Sequence, residues 1–438
     1  MYRAFPPGYI SFKNIHYTNM LVALSAMAAV FPLQAQQPRE VGLSANPGAV
    51  DIVAGTGRLG RVIGLKPESG VRLGGIWLGD ANALISGGAA SGKTTLNSLL
   101  LLDLNVDLNK WLKIPGAQFG VDYLQFNGQM TNAQAGAVAG YNSLPGLPPL
   151  ARSELYELWW RQRLMRDKLT LRVGKTVPTN DFNNVTRPLQ FKDMSLAIPA
   201  VTGLAYTPVF INPTLLGVMP GYYNSAYGLT ASFAPTKNLY MSYGLYDGTG
   251  ARGDQTGLRA TPAFNGYFFN VGEVGYAWQL GSRGMPGTVA VGAWGQSGKL
   301  SGGGGKTEDG TQGFYAFGSQ RLWLRKPGVD SSGVTSFVQF GMNQSKTLIV
   351  NKYVGGGFTA FGLIPKRPID SFGIGAGVSR LNENSGFRKS EAMLQGYYQM
   401  HLVGDVFFQP TMTYIPNPGQ KPTLSAATAI TMRITLLY

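Results

Sequence analysis

Residues 98–109 read Ser98-Leu-Leu-Leu-Leu-Asp-Leu-Asn-Val-Asp-Leu-Asn109, and this stretch decides the fold. From Leu102 onward, apolar side chains alternate strictly with Asp and Asn. Successive side chains of a β-strand point to opposite faces, so a period of two indicates a strand with one apolar and one polar face. An amphipathic helix has a longer repeat and does not fit this stretch.

A nucleotide-binding pattern lies immediately before this strand and contradicts it. Residues 87–94 read Gly87-Gly-Ala-Ala-Ser-Gly-Lys-Thr94, a complete P-loop match. A P-loop must open a helix, because the bound phosphates sit on the first amides of that helix. The residues after Thr94 have the period of a strand instead. We therefore treat a P-loop NTPase as a remote alternative, and the match as a coincidence in a chain with 60 glycines.

Composition favours a protein built of half-polar strands. The chain has 438 residues, only 13% of them charged, and no cysteine, which excludes disulfide frameworks and thiolate metal sites. Its net charge of +15 suits an anionic membrane surface or an anion-attracting pore. No Lys/Arg run accompanies this charge, so no nucleic-acid partner is expected. No serine lies in a triad context and His401 has no nearby partner, so we expect no enzyme activity, metal or cofactor.

The N-terminus predicts export. Arg3 and Lys13 precede a short apolar run at 20–33, and polar residues follow Ala35. This order is typical of a secretory signal peptide, here residues 1–35, and the run is shorter than the roughly 20 apolar residues of a membrane-spanning helix. Residues 36–70 are then expected to form a periplasmic N-terminal segment. The remainder, 71–438, is expected to form the membrane domain.

Strands with one apolar and one polar face recur along the rest of the chain. In the last of them, Ile430, Met432 and Ile434 share one face, whereas Thr431 and Arg433 share the other. A charged residue between apolar neighbours fits a wall with lipid outside and water inside. We place about sixteen such strands after residue 70. A membrane-spanning sheet cannot leave unpaired amides in lipid, so these strands must close into a barrel.

The connections between the strands alternate between short and long. The long ones are 129–152, 178–225, 248–264 and 299–312. This pattern predicts an all-β fold, a transmembrane antiparallel β-barrel of about sixteen strands with short periplasmic turns and long extracellular loops. The loop 178–225 is a candidate constriction loop that folds into the lumen, and the alternative is a further strand at 197–211.

Several segments resemble one family of such barrels, and they follow the family order from about residue 70 to the C-terminus. They are 155–160 (LYELWW), 168–174 (KLTLRVG), 270–276 (NVGEVGY), 287–294 (GTVAVGAW), 353–357 (YVGGG), 362–370 (GLIPKRPID) and 409–419 (QPTMTYIPNPG). The set resembles the carbohydrate-selective porin family of Gram-negative outer membranes, the OprB type. This resemblance implies a sixteen-stranded outer-membrane barrel, monomeric or homotrimeric, through which small neutral sugars such as glucose diffuse passively. Its partners are then these sugars and outer-membrane lipid.

Inward-facing positions supply the groups that a sugar channel needs. Sugar hydroxyls both donate and accept hydrogen bonds, so charged and amide side chains can replace hydration water. We rank Glu157, Arg161 and Arg172 highest, because their strands form one hairpin beside the longest loop, and we expect Trp159 to face the apolar side of a sugar ring. The predicted pore-lining residues are Glu157, Trp159, Arg161, Arg163, Arg172, Asp103, Asp107, Glu273 and Arg433, with Asn105, Gln395, Gln399 and Gln409 as further candidates. The alternative function is a general diffusion porin that prefers anions, because the chain has an excess of basic residues over acidic ones.

Overall fold

A computed structural model describes residues 57–142, 144, 149–185, 212–221, 224–327, 332–383 and 386–438. The predicted signal peptide, 1–35, lies outside these ranges, as do residues 36–56 of the predicted periplasmic segment. The predicted alternative of a strand at 197–211 also lies outside them. Sixteen antiparallel strands dominate the described part of the chain.

The strands follow one another around the sheet in chain order. They are β1 (Val71–Ser86), β2 (Thr94–Asp107), β3 (Ala117–Asn127), β4 (Ala151–Leu164), β5 (Leu169–Thr176), β6 (Ala226–Phe233), β7 (Leu239–Asp247), β8 (Phe268–Leu280), β9 (Met285–Ser301), β10 (Thr307–Leu324), β11 (Gly333–Asn343), β12 (Val350–Phe361), β13 (Ser371–Leu381), β14 (Ser390–Val403), β15 (Val406–Ile415) and β16 (Ala427–Leu437).

Short helices lie before β1 and in the connections. The α-helices of the described ranges are α1 (Arg58–Val62), α2 (Leu108–Leu112), α3 (Thr131–Ala135) and α4 (Pro178–Asp181). The 3₁₀ helices there are Pro67–Ser69, Pro213–Leu215, Thr249–Arg252, Thr256–Leu258 and Gly303–Gly305. Within the described residues, every helix is too short or too polar to cross a membrane.

The first and last strands close the sheet into a barrel. β1 pairs antiparallel with β16, from Ile76 opposite Leu437 to Ser86 opposite Thr428, and every other strand pairs with its sequence neighbours. A closed sheet leaves no strand edge with unpaired amides. The predicted architecture, an antiparallel barrel of sixteen strands, is confirmed.

The two faces of the wall differ as the alternation predicted. On β16, Met432 is 41% exposed and Arg433 only 3%. On β14, Leu394 is 49% exposed and Gln395 only 2%. Apolar side chains therefore point away from the barrel axis, where lipid solvates them, and polar side chains point into the lumen.

Short and long connections sit at opposite ends of the barrel. The turns 165–168, 234–238 and 404–405 lie at one end, and the connections 128–150 and 177–225 leave and rejoin their strands at the other. In outer-membrane barrels the short turns face the periplasm and the long loops face the outside. These are the short-turn end and the long-loop end of the barrel.

Two predicted boundaries are wrong. The predicted long loop 299–312 is mostly strand, because β9 and β10 continue pairing as far as Thr307 opposite Ser301. The predicted second strand, 98–109, begins earlier and ends at Asp107. The carboxylate of Asp107 accepts a hydrogen bond of 3.0 Å from the amide of Asn109, which caps α2 and ends the strand.

The P-loop match is an ordinary connection between β1 and β2. Thr94 opens a strand, and no helix follows Lys93 in this described stretch. The amides of Ala89 and Ala90 both donate to the carbonyl of Gln134 at 2.9 Å, so a neighbouring loop already uses them. The pattern therefore lacks the helix terminus and the free amides that phosphate binding requires.

Candidate functional site

Strand pairing arranges inward side chains of β2, β3 and β4 in rows across the wall. Asp103 lies opposite Asp122, and Asp122 lies opposite Glu157. All three carboxylates point inward, with exposures of 1%, 0% and 0%. We call this set, Asp103, Asp122 and Glu157, the acidic row.

Two arginines lie two rows from the acidic row, on the side of the short-turn end. Arg161 on β4 is directly opposite Arg172 on β5. The Arg161 guanidinium donates to the side chain of Gln118, and Arg172 forms an ion pair with Asp181 of α4. We call Arg161 and Arg172 the basic pair.

Trp159 lies between the acidic row and the basic pair. The guanidinium carbons of Arg161 and Arg172 are 5.6 Å and 5.9 Å from the centre of its ring, within cation–π range. The ring lies against Gly120 on β3, where an added Cβ would be 2.3 Å from it. Glycine at position 120 therefore lets the indole lie flat along the wall.

A register shift in β4 decides which of its residues face inward. Asp122 pairs with Glu157 but Tyr123 pairs with Leu155, so Tyr156 is an extra residue in a β-bulge. The inward side chains therefore have odd numbers after the bulge and even numbers before it. Arg152 and Glu154 are inward, 8% and 6% exposed, and form an ion pair of 3.4 Å. Neither residue is predicted to face inward when a single alternation is carried through the whole strand.

The start of the 177–225 connection is fixed to this part of the wall. The Glu157 carboxylate accepts a hydrogen bond of 2.8 Å from the amide of Val177. The Asp181 carboxylate, besides pairing with Arg172, accepts 3.0 Å from the hydroxyl of Thr230. Glu157 and Arg172 thus hold the start of this connection against the inner face of the wall.

Glu273 on β8 holds the same connection one step further along. Its carboxylate accepts hydrogen bonds of 2.7 Å from the hydroxyls of Tyr240 and Tyr315 and from the amide of Asn183. With three donors on two oxygens, it anchors the loop. Near the other end of the connection, the side chain of Asn212 donates to the carbonyl of Phe340 on β11 at 3.1 Å.

The connection 128–150 is fixed inside the barrel by a second set of contacts. Arg433 holds Asp80 through two hydrogen bonds of 2.7 Å. The side chain of Asn142, from the connection, donates to Asp80 at 2.8 Å and to Asn82 at 2.7 Å. Burial and the Asp80 carboxylate raise the pKa of the nearby Tyr141 hydroxyl, which keeps it neutral.

The same connection also contacts β14, which lies two strands beyond β16 in the barrel. The Glu391 carboxylate accepts from the amides of Val138, Ala139 and Gly419 at 2.8, 2.9 and 2.7 Å. Gln395 donates to the carbonyl of Tyr141 at 2.9 Å. Sequence reasoning did not identify this inward fold, because the contacts join residues that are far apart in the chain.

The other residues predicted to line the pore lie at different heights on the wall. Asn105 bonds to Asp103 on its own strand, and Gln399 donates to Gln409 at 3.0 Å. Arg163 lies at the short-turn end, where its side chain is 43% exposed and 3.9 Å from Asp167. Asp107 caps α2 at the same end. Arg163 and Asp107 are therefore nearer the mouth than the basic pair.

Comparisons with known proteins agree with this architecture. The family model described as carbohydrate-selective porin, OprB family, matches residues 95–438. The high-pH structure of Pseudomonas putida OprB is 16% identical, with a TM-score of 0.71 over 85% of this chain and 95% of that one. The low-pH structure of the same protein is 15% identical, with a TM-score of 0.57 over 87% and 97%. At these identities the structures establish the fold alone. No individually curated protein matches the chain.

The family match extends over most of the chain, and the closed barrel with polar residues inside accounts for it physically. A channel of this family is a passage through the outer membrane and not an enzyme. The chain belongs to the carbohydrate-selective porin family of the OprB type.

Proposed function

We propose that this barrel lets small neutral sugars of glucose size diffuse passively across the outer membrane. The observation that carries the proposal is the order of the side-chain rows along the wall of β2–β5. The acidic row lies on one side of Trp159 and the basic pair lies on the other. Carboxylates accept hydrogen bonds from sugar hydroxyls and guanidinium groups donate to them. The indole face suits the apolar face of a sugar ring. Such contacts are individually weak, so a solute can bind and leave.

The connection 177–225 is proposed to narrow the lumen beside these rows. Its described ends are held on the inner wall by Glu157, Arg172 and Glu273, and by Asn212 on the opposite side. A loop fixed to the wall at both ends reduces the free cross-section next to the basic pair. This supports its assignment as a constriction loop.

The proposed topology puts residues 36–70 in the periplasm after removal of the signal peptide 1–35. The described part of this segment supports it. The amide of Gly57 donates to the carbonyl of Tyr438 at 2.9 Å, and Arg58 pairs with Asp405 at 3.0 Å. Asp405 belongs to a short turn, so these contacts lie at the short-turn end.

Single-channel recording in planar bilayers tests the proposal. Glucose, added in increasing concentration, is expected to reduce the ion current through the open channel in a saturable way. A size-matched solute without a pyranose ring, such as a linear polyol, is expected to do so less. If neither glucose nor related sugars produce saturable block, sugar selectivity is wrong. A channel without sugar block but with a reversal potential that favours chloride would support the alternative of a general anion-preferring porin.

A further inference from the structure

Arg321 on β10 differs from the other arginines on the inner wall. It is 2% exposed, and its Nε and Nη1 atoms have no hydrogen-bond partner. None of the ion pairs among the described residues includes it. By contrast, Arg433 is paired with Asp80, Arg172 with Asp181 and Arg152 with Glu154. A buried guanidinium without a counter-charge is costly, and such a group calls for an anion.

The position of Arg321 is set by the local geometry of β10. The pairing with β11 shifts between Arg321 and Trp323, so Leu322 is an extra residue in a bulge. Leu322 and Trp323 both point to the outer face, with exposures of 46% and 43%, whereas Arg321 stays inside. Bulges are frequent where a strand aims a side chain at a functional site.

The neighbours of Arg321 on the inner face are neutral hydroxyls. Thr335, directly opposite on β11, is 0% exposed, and its hydroxyl has no hydrogen-bond partner. Ser319, two residues earlier on β10, shares a hydrogen bond of 3.0 Å with Thr288 on β9. Carboxylates are absent from these flanking positions, so these described neighbours do not balance the charge of Arg321. The Thr335 hydroxyl can donate to an anion that Arg321 holds.

This part of the wall is separate from the basic pair. In the order of strands around the barrel, β10 is six positions from β4. Arg321 also lies close to the short-turn end of its strand, which ends at Leu324. Arg321 therefore lies on another side of the barrel from the rows on β2–β5.

We propose that Arg321 and Thr335 form a second solute site, near the short-turn end, that binds the carboxylate of an acidic sugar such as glucuronate. A guanidinium presents a planar fork that matches a carboxylate, and the hydroxyl of Thr335 supplies a further donor. The site goes beyond the proposed passage of neutral sugars and does not depend on it. Glucose and glucuronate have the same ring and differ in the group at C6, so one channel can be tested with both.

The test is block of single-channel current by glucuronate and by glucose in the wild-type protein and in three variants. Arg321→Gln removes the charge, Arg321→Lys keeps it without the fork, and Arg283→Gln removes a charge from the exposed turn 281–284 at the same end of the barrel. In Arg321→Gln the glucuronate block is expected to weaken about tenfold, because a charge-assisted hydrogen-bonded pair is lost. Glucuronate block of Arg321→Lys is expected to lie between that of the wild type and that of Arg321→Gln. Glucuronate block of Arg283→Gln is expected to equal that of the wild type.

Glucose block is expected to be unchanged in all three variants. Equal glucuronate block in the wild type and in Arg321→Gln would overturn the site. So would an equal weakening of glucuronate block in Arg321→Gln and Arg283→Gln, because it would indicate a general electrostatic attraction and not a specific site. If Arg321→Gln does not form a barrel, the proposal is tested by comparing the wild type with Arg321→Lys. Glucuronate must then block the wild type more strongly than glucose at low salt and block Arg321→Lys more weakly, and failure of either overturns the proposal. If glucose fails to block the wild-type channel while glucuronate blocks it in an Arg321-dependent way, the proposed passage of neutral sugars is contradicted and the Arg321 site is still supported.

Discussion

Asp80 on β1 and Arg433 on β16 face each other across the seam of the barrel, and two hydrogen bonds of 2.7 Å join them. Both side chains are almost fully buried, at 0% and 3% exposure. They connect the first strand to the last and also carry Asn142 of the connection 128–150. One ion pair therefore supports both the closure of the wall and the position of a loop.

Asp80→Ala is expected to destabilise the folded barrel by about 3–5 kcal/mol, because it leaves the Arg433 guanidinium buried and unpaired. Urea unfolding in detergent, followed by the shift in gel mobility between folded and unfolded forms, measures this. The double variant Asp80→Ala with Arg433→Ala is expected to be more stable than Asp80→Ala alone. Equal stability of Asp80→Ala and the wild type would show that the pair contributes nothing to closure.

Trp159→Ala is expected to weaken glucose block about two- to tenfold, since an aromatic contact of this kind contributes about 0.5–1.5 kcal/mol. Trp160→Ala is the matched control. Trp160 is the next residue on β4 and lies opposite Val173, which is 52% exposed on the outer face. Dissociation constants from single-channel titration provide the comparison. An equal effect of the two substitutions would remove Trp159 from the proposed solute path.

Asp181→Asn is expected to shift the ion selectivity toward anions. The substitution removes the ion-pair partner of Arg172 and with it one negative charge from the inner wall. The reversal potential in a KCl gradient is expected to report a chloride-to-potassium permeability ratio raised about twofold. Asp254→Asn is the control, because Asp254 lies in an outer loop, where its side chain is 39% exposed. A shift toward potassium in Asp181→Asn would contradict the assigned pair.

Glu273→Gln is expected to increase single-channel conductance. The carboxylate accepts three hydrogen bonds, and a glutamine would offer one acceptor oxygen and direct an NH₂ group at a donor. The amide of Asn183 is then held more weakly, because a neutral amide oxygen accepts less strongly than a carboxylate, and the lumen beside it widens. Glu68→Gln, in the helix before β1, is expected to leave conductance at the wild-type value. Unchanged conductance in Glu273→Gln would mean that this end of the loop does not limit the passage.

Some of the candidate site could be predicted from the sequence because strand geometry is local. The alternation through Trp159, Arg161 and Arg163 sets their common face, and the short turn 165–168 puts Arg172 beside them. Asp122 could have been found by the same means, since Val121 and Tyr123 flank it on the outer face.

Other parts of the site depend on contacts that no local pattern encodes. Asp181 meets Arg172 only because α4 folds back onto the wall, and Asn142 meets Asp80 only after a loop enters the barrel. Neither residue lies in an alternating segment. The lack of a partner at Arg321 is also a property of the assembled wall, because the sequence alone does not reveal which arginines find a carboxylate.

The bulge at Tyr156 has a consequence for how the length of β4 can change. Removing Tyr156 would restore strict alternation from Arg152 to Trp159, with every other side chain still on its present face. Removing Leu158 instead would also bring the strand back to strict alternation with Trp159 and Arg161 inward, but it would turn the Glu157 carboxylate to the lipid-facing side. A one-residue deletion at Tyr156 therefore keeps every remaining side chain on its face, whereas a deletion two residues later removes Glu157 from the acidic row.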